Sequence, residues 1–141
     1  MSQMELTKQE DEWGCAAACV ASLLDIPYGE ALERLLHHKN GSLEDDPKGL
    51  DVHEIIWTLS DYDLWYIADW RRPSKFPVGS IVCIRGTGAY KDDHYLLRTE
   101  KGWMDPWHNI PKKDFNALWR SALPMGTQIL FTLMPKHAKT S

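Results

Sequence analysis

The hydrophobic period of this chain changes once, at Ser60, and that change limits the possible folds more than any other feature. Before Ser60, apolar residues recur at helical spacing. After it, short β-branched and aromatic runs alternate with turn residues. Helices first and strands second predict an α+β domain, with N-terminal helices packed against a mainly antiparallel sheet. The full 141 residues fit one domain, and 43% hydrophobic content supplies a core for it.

In the first half, Gly14 to Asp25 reads as a helix, with Ala16, Cys19, Val20, Leu23 and Leu24 on one apolar face. Pro27 ends it. A second helix is expected from Tyr28 to His38, with Leu32, Leu35 and Leu36 turned inward. The run "NGSLEDDPKG" is a loop. Asp51 and Glu54 then have capping-box spacing before Val52, Ile55, Ile56 and Leu59, which predicts a third helix.

In the second half, "LWYIADW" (Leu64 to Trp70) and "SIVCIR" (Ser80 to Arg85) read as strands, the latter central because its interior, Ile81 to Ile84, is β-branched and apolar. "HYLLRTEKGWMDP" reads as two short strands around a Lys101-Gly102 turn, and "TQILFTLM" as a last strand. "KKDFNALWR" reads as a short helix.

Several function classes are disfavoured. The net charge is −4, and no run of Lys and Arg is longer than a pair such as Arg71-Arg72. That argues against binding nucleic acid by phosphate neutralisation. The longest mainly apolar run, Gly14 to Leu24, is far short of the roughly 20 residues needed to span a bilayer. The start, "MSQMELTKQEDE", is too polar and acidic for a secretion signal. Three cysteines, an odd number, then point to free thiols and a cytoplasmic setting.

The chemistry concentrates in "WGCAAACV". Cys15 falls at the N-terminal end of the first helix, where unpaired N–H groups and the helix dipole favour a thiolate, the nucleophilic form. Cys19, one turn deeper, reads as core. A thiolate needs a base. His37 and His38 end a helix and suit capping, His53 lies beside acidic residues, His108 is in a loop and His137 is in the tail. His94 differs, because it heads an apolar strand directly after a loop carrying Gly and Asp. Eleven residues on, across the hairpin turn, comes Asp105, a carboxylate that can orient the imidazole. A zinc site built from Cys15, Cys19, His37 and His38 fits no strong ligand spacing, and no cofactor or metal is expected.

These residues resemble the papain-like cysteine peptidases, specifically the group related to bacteriocin-processing peptidases. That group carries a Gln six residues before the catalytic Cys, and "QEDEWGC" places Gln9 six residues before Cys15. "CAAACVASLL" matches its cysteine motif, and "HYLLRTEKGWMDP" matches its His-strand and Asp-Pro in order and spacing. "DPKGLDVHEIIWTLSDYDLWY" is similar to its middle helix and following strand. The likeness covers residues 9 to 108. Two features depart from the pattern: Ala16 stands where Gly usually follows the nucleophile, and Trp13-Gly14 replaces a common acidic or polar residue. Both bear on specificity more than on fold. No transporter accompanies the domain, so the leader-peptide role of that group is not expected.

The resemblance implies a papain-like fold. It makes Cys15 the nucleophile, His94 the general base and acid, and Asp105 its orienter. Gln9 would donate its side-chain amide to the oxyanion beside a backbone N–H at Cys15. The expected activity is hydrolysis of peptide or isopeptide bonds in a peptide or protein substrate, through a thioester on Cys15. An acyltransferase or transglutaminase-like enzyme, or an inactive peptide-binding module, are the alternatives. Trp13, Trp103 and Trp107 neighbour these residues in sequence, either as cleft walls or as core.

Overall fold

Small side chains decide where the first helix goes. In the computed structural model, which describes residues 4–136, α1 spans Cys15–Leu24. Cys15 through Leu23 are all buried, so the helix is buried all round rather than on a single face. Ala16, Ala17, Ala18 and Ala21 let neighbouring elements approach its backbone from every side. It stops at Asp25, which adopts a left-handed conformation (φ 59°), with Pro27 two residues later.

Two more helices cover α1. Helix α2 (Tyr28–Lys39) buries Tyr28, Ala31 and Leu35, while Leu32 and Leu36 are partly buried against the same core. Helix α3 (Val52–Asp61) starts with the expected capping box. The Asp51 carboxylate accepts from the backbone N–H of His53 and Glu54, and Glu54 accepts from the N–H of Asp51 at 2.8 Å.

The strands are β1 (Tyr66–Asp69), β2 (Ile81–Gly86), β3 (His94–Thr99), β4 (Gly102–Asp105), β5 (Leu118–Arg120) and β6 (Thr127–Pro135). They form one antiparallel sheet in the order β1-β6-β2-β3-β4-β5. Alternation along each strand assigns the faces. Ile81, Cys83, Tyr95, Leu97, Met104, Phe131 and Leu133 pack under the helices, while Val82, Ile84, Leu96 and Trp103 form a second cluster on the other face. Strand β2 is buried on both faces from Ile81 to Ile84, as its unbroken apolar run predicts.

One expected element is absent. Residues 112–117 are irregular, and Leu118–Arg120 is the edge strand β5 rather than the end of a helix. The segment pairs with β4, Arg120 opposite Trp103 and Leu118 opposite Asp105. Sheet pairing overrides a nine-residue helical pattern, which is too short to hold a helix unaided. Gly102 permits the close approach: at φ 111° it sits in glycine's own region, and a Cβ there would meet the Arg120 carbonyl at 2.6 Å.

No single helix among the described residues is long and apolar enough to cross a membrane.

Gly14 fixes the entry to α1. A Cβ on it would overlap the hydroxyl of buried Tyr28, which donates to Asp11 Oδ2 at 2.8 Å. Gly14→Ala should therefore destabilise the fold by about 1–3 kcal/mol, as overpacking does. Tyr28→Phe, which removes the hydroxyl, should recover part of that loss in the double variant. Denaturant unfolding of the four proteins measures the coupling; strictly additive effects would contradict this packing.

Candidate active site

Three adjacent strands bring one polar group each to the same face. The register pairs Leu97 with Met104, so its continuation sets Asp105 opposite Leu96 and makes His94 a diagonal neighbour of Asp105. Arg120 pairs with Trp103 and is diagonal to Asp105 from the other side. The N-terminus of α1, which packs along β3, meets this row at His94.

Asp105 is fully buried and fully engaged. His94 donates from Nε2 to its Oδ1 at 2.7 Å, and the Trp107 backbone N–H donates to the same oxygen at 3.1 Å. Arg120 donates from Nε to Oδ2 at 2.7 Å. With Nε2 committed to Asp105, Nδ1 is the ring nitrogen of His94 left free to serve a thiol, and Cys15 lies near enough to act on the imidazole's charge. His94 and Cys15 are both nearly buried, at 4% and 8% exposure.

Burial alone would favour the neutral imidazole. The hydrogen bond that His94 donates to the Asp105 carboxylate, together with neighbouring Cys15 and the charge of Asp105, outweighs it and raises the His94 pKa from 6.5 to about 9. Burial likewise opposes ionisation of Asp105, but the bonds and charge of His94, then Arg120 and the Trp107 N–H, hold its carboxyl below the ordinary range. The arrangement thus favours the charged imidazolium at neutral pH, held by the Asp105 carboxylate on one side with Cys15 nearby. Burial pushes the thiols of Cys19 and Cys83 up instead, as suits core residues.

The helix start supplies donors. Gly14 gives no side-chain cap, so the first-turn N–H groups of α1 have no partners within the helix. Gln9 is next door: the segment before α1 runs beside β4, with the Gln9 N–H donating to the Pro106 carbonyl at 3.2 Å. Its side chain is wholly buried, but its amide N–H groups donate to the carbonyls of Asp11 (2.8 Å) and Glu12 (3.1 Å). They brace the turn ahead of Cys15. The oxyanion role expected of Gln9 would require these two bonds to open on substrate binding. Its Oε1 has no hydrogen-bond partner among the described residues.

A cleft of about 440 Å³ opens at His94, and Trp13, Trp107, Ile110 and Pro111 are among the residues that line it. Lys48 sits over the Trp13 ring at 5.5 Å, and its loop is tied down by Lys39, whose ammonium donates to the carbonyls of Asp45, Pro47 and Gly49. Trp103 is not a cleft wall; it packs edge-on to Phe76 in the second core cluster.

The other histidines stand apart from this network. His38 bonds Asp61 at 2.7 Å, His53 is exposed at the head of α3, and the His108 N–H donates to the Asn116 carbonyl. His137 lies outside the described residues. Among the described residues, no group of three or more His, Cys, Asp or Glu converges as metal ligands. Arg120 and Tyr90 escaped the sequence reading. Arg120 had been placed in a helix, and the one signal available was a lone cation on a segment able to pair with the Asp105 strand.

No protein-family model matches the sequence, and no curated protein matches it.

NMR titration should find the His94 imidazole with a midpoint near pH 9, moved down in Asp105→Asn; a midpoint at the ordinary 6.5 in both would contradict the network. The sign for stability follows. A raised folded-state pKa contributes stability that is fully present below pH 6.5 and lost as pH rises through about 9. The Asp105 contribution is present above its ordinary pKa of 3.8 and lost on acidification through the depressed value. Limited iodoacetamide treatment at mildly acidic pH, read by mass spectrometry, should label Cys15 well before Cys19 and Cys83. Equal labelling would count against a tuned nucleophile.

Proposed function

We propose that this protein is a papain-like cysteine hydrolase that cleaves peptide or isopeptide bonds through a thioester on Cys15. The observation that carries the reading is the buried His94–Asp105 pair at 2.7 Å, with Cys15 beside the imidazole at a helix start and the carboxylate wholly buried. The α+β architecture, with its helices on one face of an antiparallel sheet, is compatible with that family and equally with others. The site carries the specific argument.

In this mechanism the Cys15 thiolate attacks the scissile carbonyl carbon, and the carbonyl π electrons move to oxygen. The first-turn N–H groups of α1 stabilise that oxyanion. His94 gives its Nδ1 proton to the leaving amine nitrogen as the C–N bond breaks, which leaves a thioester. The neutral imidazole then takes a proton from water, the hydroxide adds to the thioester carbonyl, and sulfur leaves as thiolate. Asp105 keeps the Nε2 proton and the ring orientation throughout. The cleft lined by Trp13 and Trp107 suits an extended peptide segment flanked by bulky groups.

The bonds made by Gln9 favour a second reading to be tested beside the first. With its amide donating to Asp11 and Glu12, Gln9 is not poised to serve an oxyanion, which favours peptide binding without turnover; acyl transfer to an amine is the other alternative, though it needs the same oxyanion stabilisation as hydrolysis. Partition of the acylated protein between water and an added amine separates these.

The kinetic test uses a fluorogenic peptide-amide library and four variants. Cys15→Ala should abolish turnover, and His94→Ala should nearly do so, because the two act as a unit. Asp105→Asn should be milder. Gln9→Ala should fall well short of the about 10²–10³ loss caused by removing a dedicated oxyanion donor. Full activity in Cys15→Ala would end the proposal.

A further inference from the structure

We propose that Arg120 is a positioning residue, acting through Asp105, that keeps the buried carboxylate anionic while His94 passes between its charged and neutral forms. The inference rests on the hydrolase reading for its purpose, but its evidence and its test are independent of substrate. Asp105 has no access to water and two oxygens to satisfy. One faces a cation that comes and goes, His94; the other faces a cation that does not, since a guanidinium stays protonated at any working pH. Once His94 has given its proton to a leaving amine, Asp105 would be a wholly buried anion with no positive partner, were Arg120 absent. It would then draw a proton, and the Nε2–H bond that orients the imidazole would be lost. The steady charge of Arg120 removes that drive. It also offsets part of the carboxylate's pull on the imidazolium, so the proton is easier to give away.

The placement of Arg120 is itself braced. Its Nη2 donates to the Tyr90 hydroxyl at 3.1 Å, and the Tyr90 ring packs against the His94 ring with centroids 5.6 Å apart. Three bonds and one ring contact therefore close a loop: His94 to Asp105, Asp105 to Arg120 and Arg120 to Tyr90 by hydrogen bonds, and Tyr90 back onto His94 by packing. Tyr90 belongs to the turn Gly88–Tyr90, next to residues that line the cleft. The charged and titratable groups around His94 are Cys15 from α1, Asp105 from β4 with Arg120 behind it from β5, Tyr90 from that turn, and, across the shared cleft, Glu12 and Lys91. Its own segment adds Asp92 and Asp93, the latter paired with Arg85 of β2.

The test is NMR titration of His94 in the full chain, comparing the native protein with Arg120→Met, Arg120→Lys, Tyr90→Phe and Asp105→Asn, each checked for folding by circular dichroism. Arg120→Met should move the His94 midpoint upward by about one pH unit, opposite to the downward move of Asp105→Asn. Arg120→Lys should restore a midpoint close to native, because it returns the charge. Tyr90→Phe should leave the midpoint nearly unchanged, because it removes only the brace. A purely structural role would instead drop the midpoint toward 6.5 in Arg120→Met, as the network loosened; that result, or no shift at all, overturns the proposal. If Arg120→Met does not fold, Arg120→Gln serves the same comparison. An upward shift in a protein that never acylates Cys15 would retain the Arg120 assignment and remove the hydrolase reading.

Discussion

A carboxylate with no exposed surface, Asp105, sits between two cations, and the architecture around it follows from the need to pair it. A buried charge is tolerated only when paired and hydrogen-bonded, and removing one partner of such a pair costs about 3–5 kcal/mol. Asp105 meets that requirement by drawing one residue from each adjacent strand, His94 from β3 and Arg120 from β5, with a backbone N–H from Trp107. This ties the register of three strands to one side chain. A slip by one residue in either pairing would turn the cation to the opposite face and leave the anion unpaired.

The helical layer meets that row at one point. Alanines let α1 lie deep among its neighbours, and Gly14 leaves room for Tyr28 at its entry, so that Cys15 arrives at His94 at a helix start with no side-chain cap. Packing and chemistry share the same residues here. "WGCAAACV" is a packing motif, as the burial of Ala16 through Val20 shows, and the same packing delivers Cys15 to the imidazole.

Much of this was legible because the relevant signals are local. The capping box of α3, the Pro27 stop, the Lys101-Gly102 hairpin and the apolar run of β2 each act over a few residues, and each element formed where expected. His94 and Asp105 were legible for a related reason: a hairpin links them, so their approach is set by short-range register. What was missed depends on long-range pairing. Leu118–Arg120 carries a helical pattern, yet the β4 edge captures it, and only that capture brings Arg120 to Asp105. Gln9 was placed near the site by its spacing to Cys15, but spacing cannot reveal that the amide turns back to the carbonyls of Asp11 and Glu12. Trp103 was assigned no definite face, and strand parity sends it to the second cluster, away from the cleft.

As the proposed nucleophile, Cys15 would owe its reactivity to its place at the α1 start and to His94. The most direct measurement is intact-mass and peptide-level mass spectrometry of the protein mixed with a small activated acyl ester, such as an N-acetylglycine nitrophenyl ester. The account predicts an acyl group on Cys15, removable by hydroxylamine, formed faster than on a free thiol and absent from Cys15→Ala. Acylation of Cys15 no faster than of a free thiol, or acylation of Cys19 or Cys83 in its place, would contradict it.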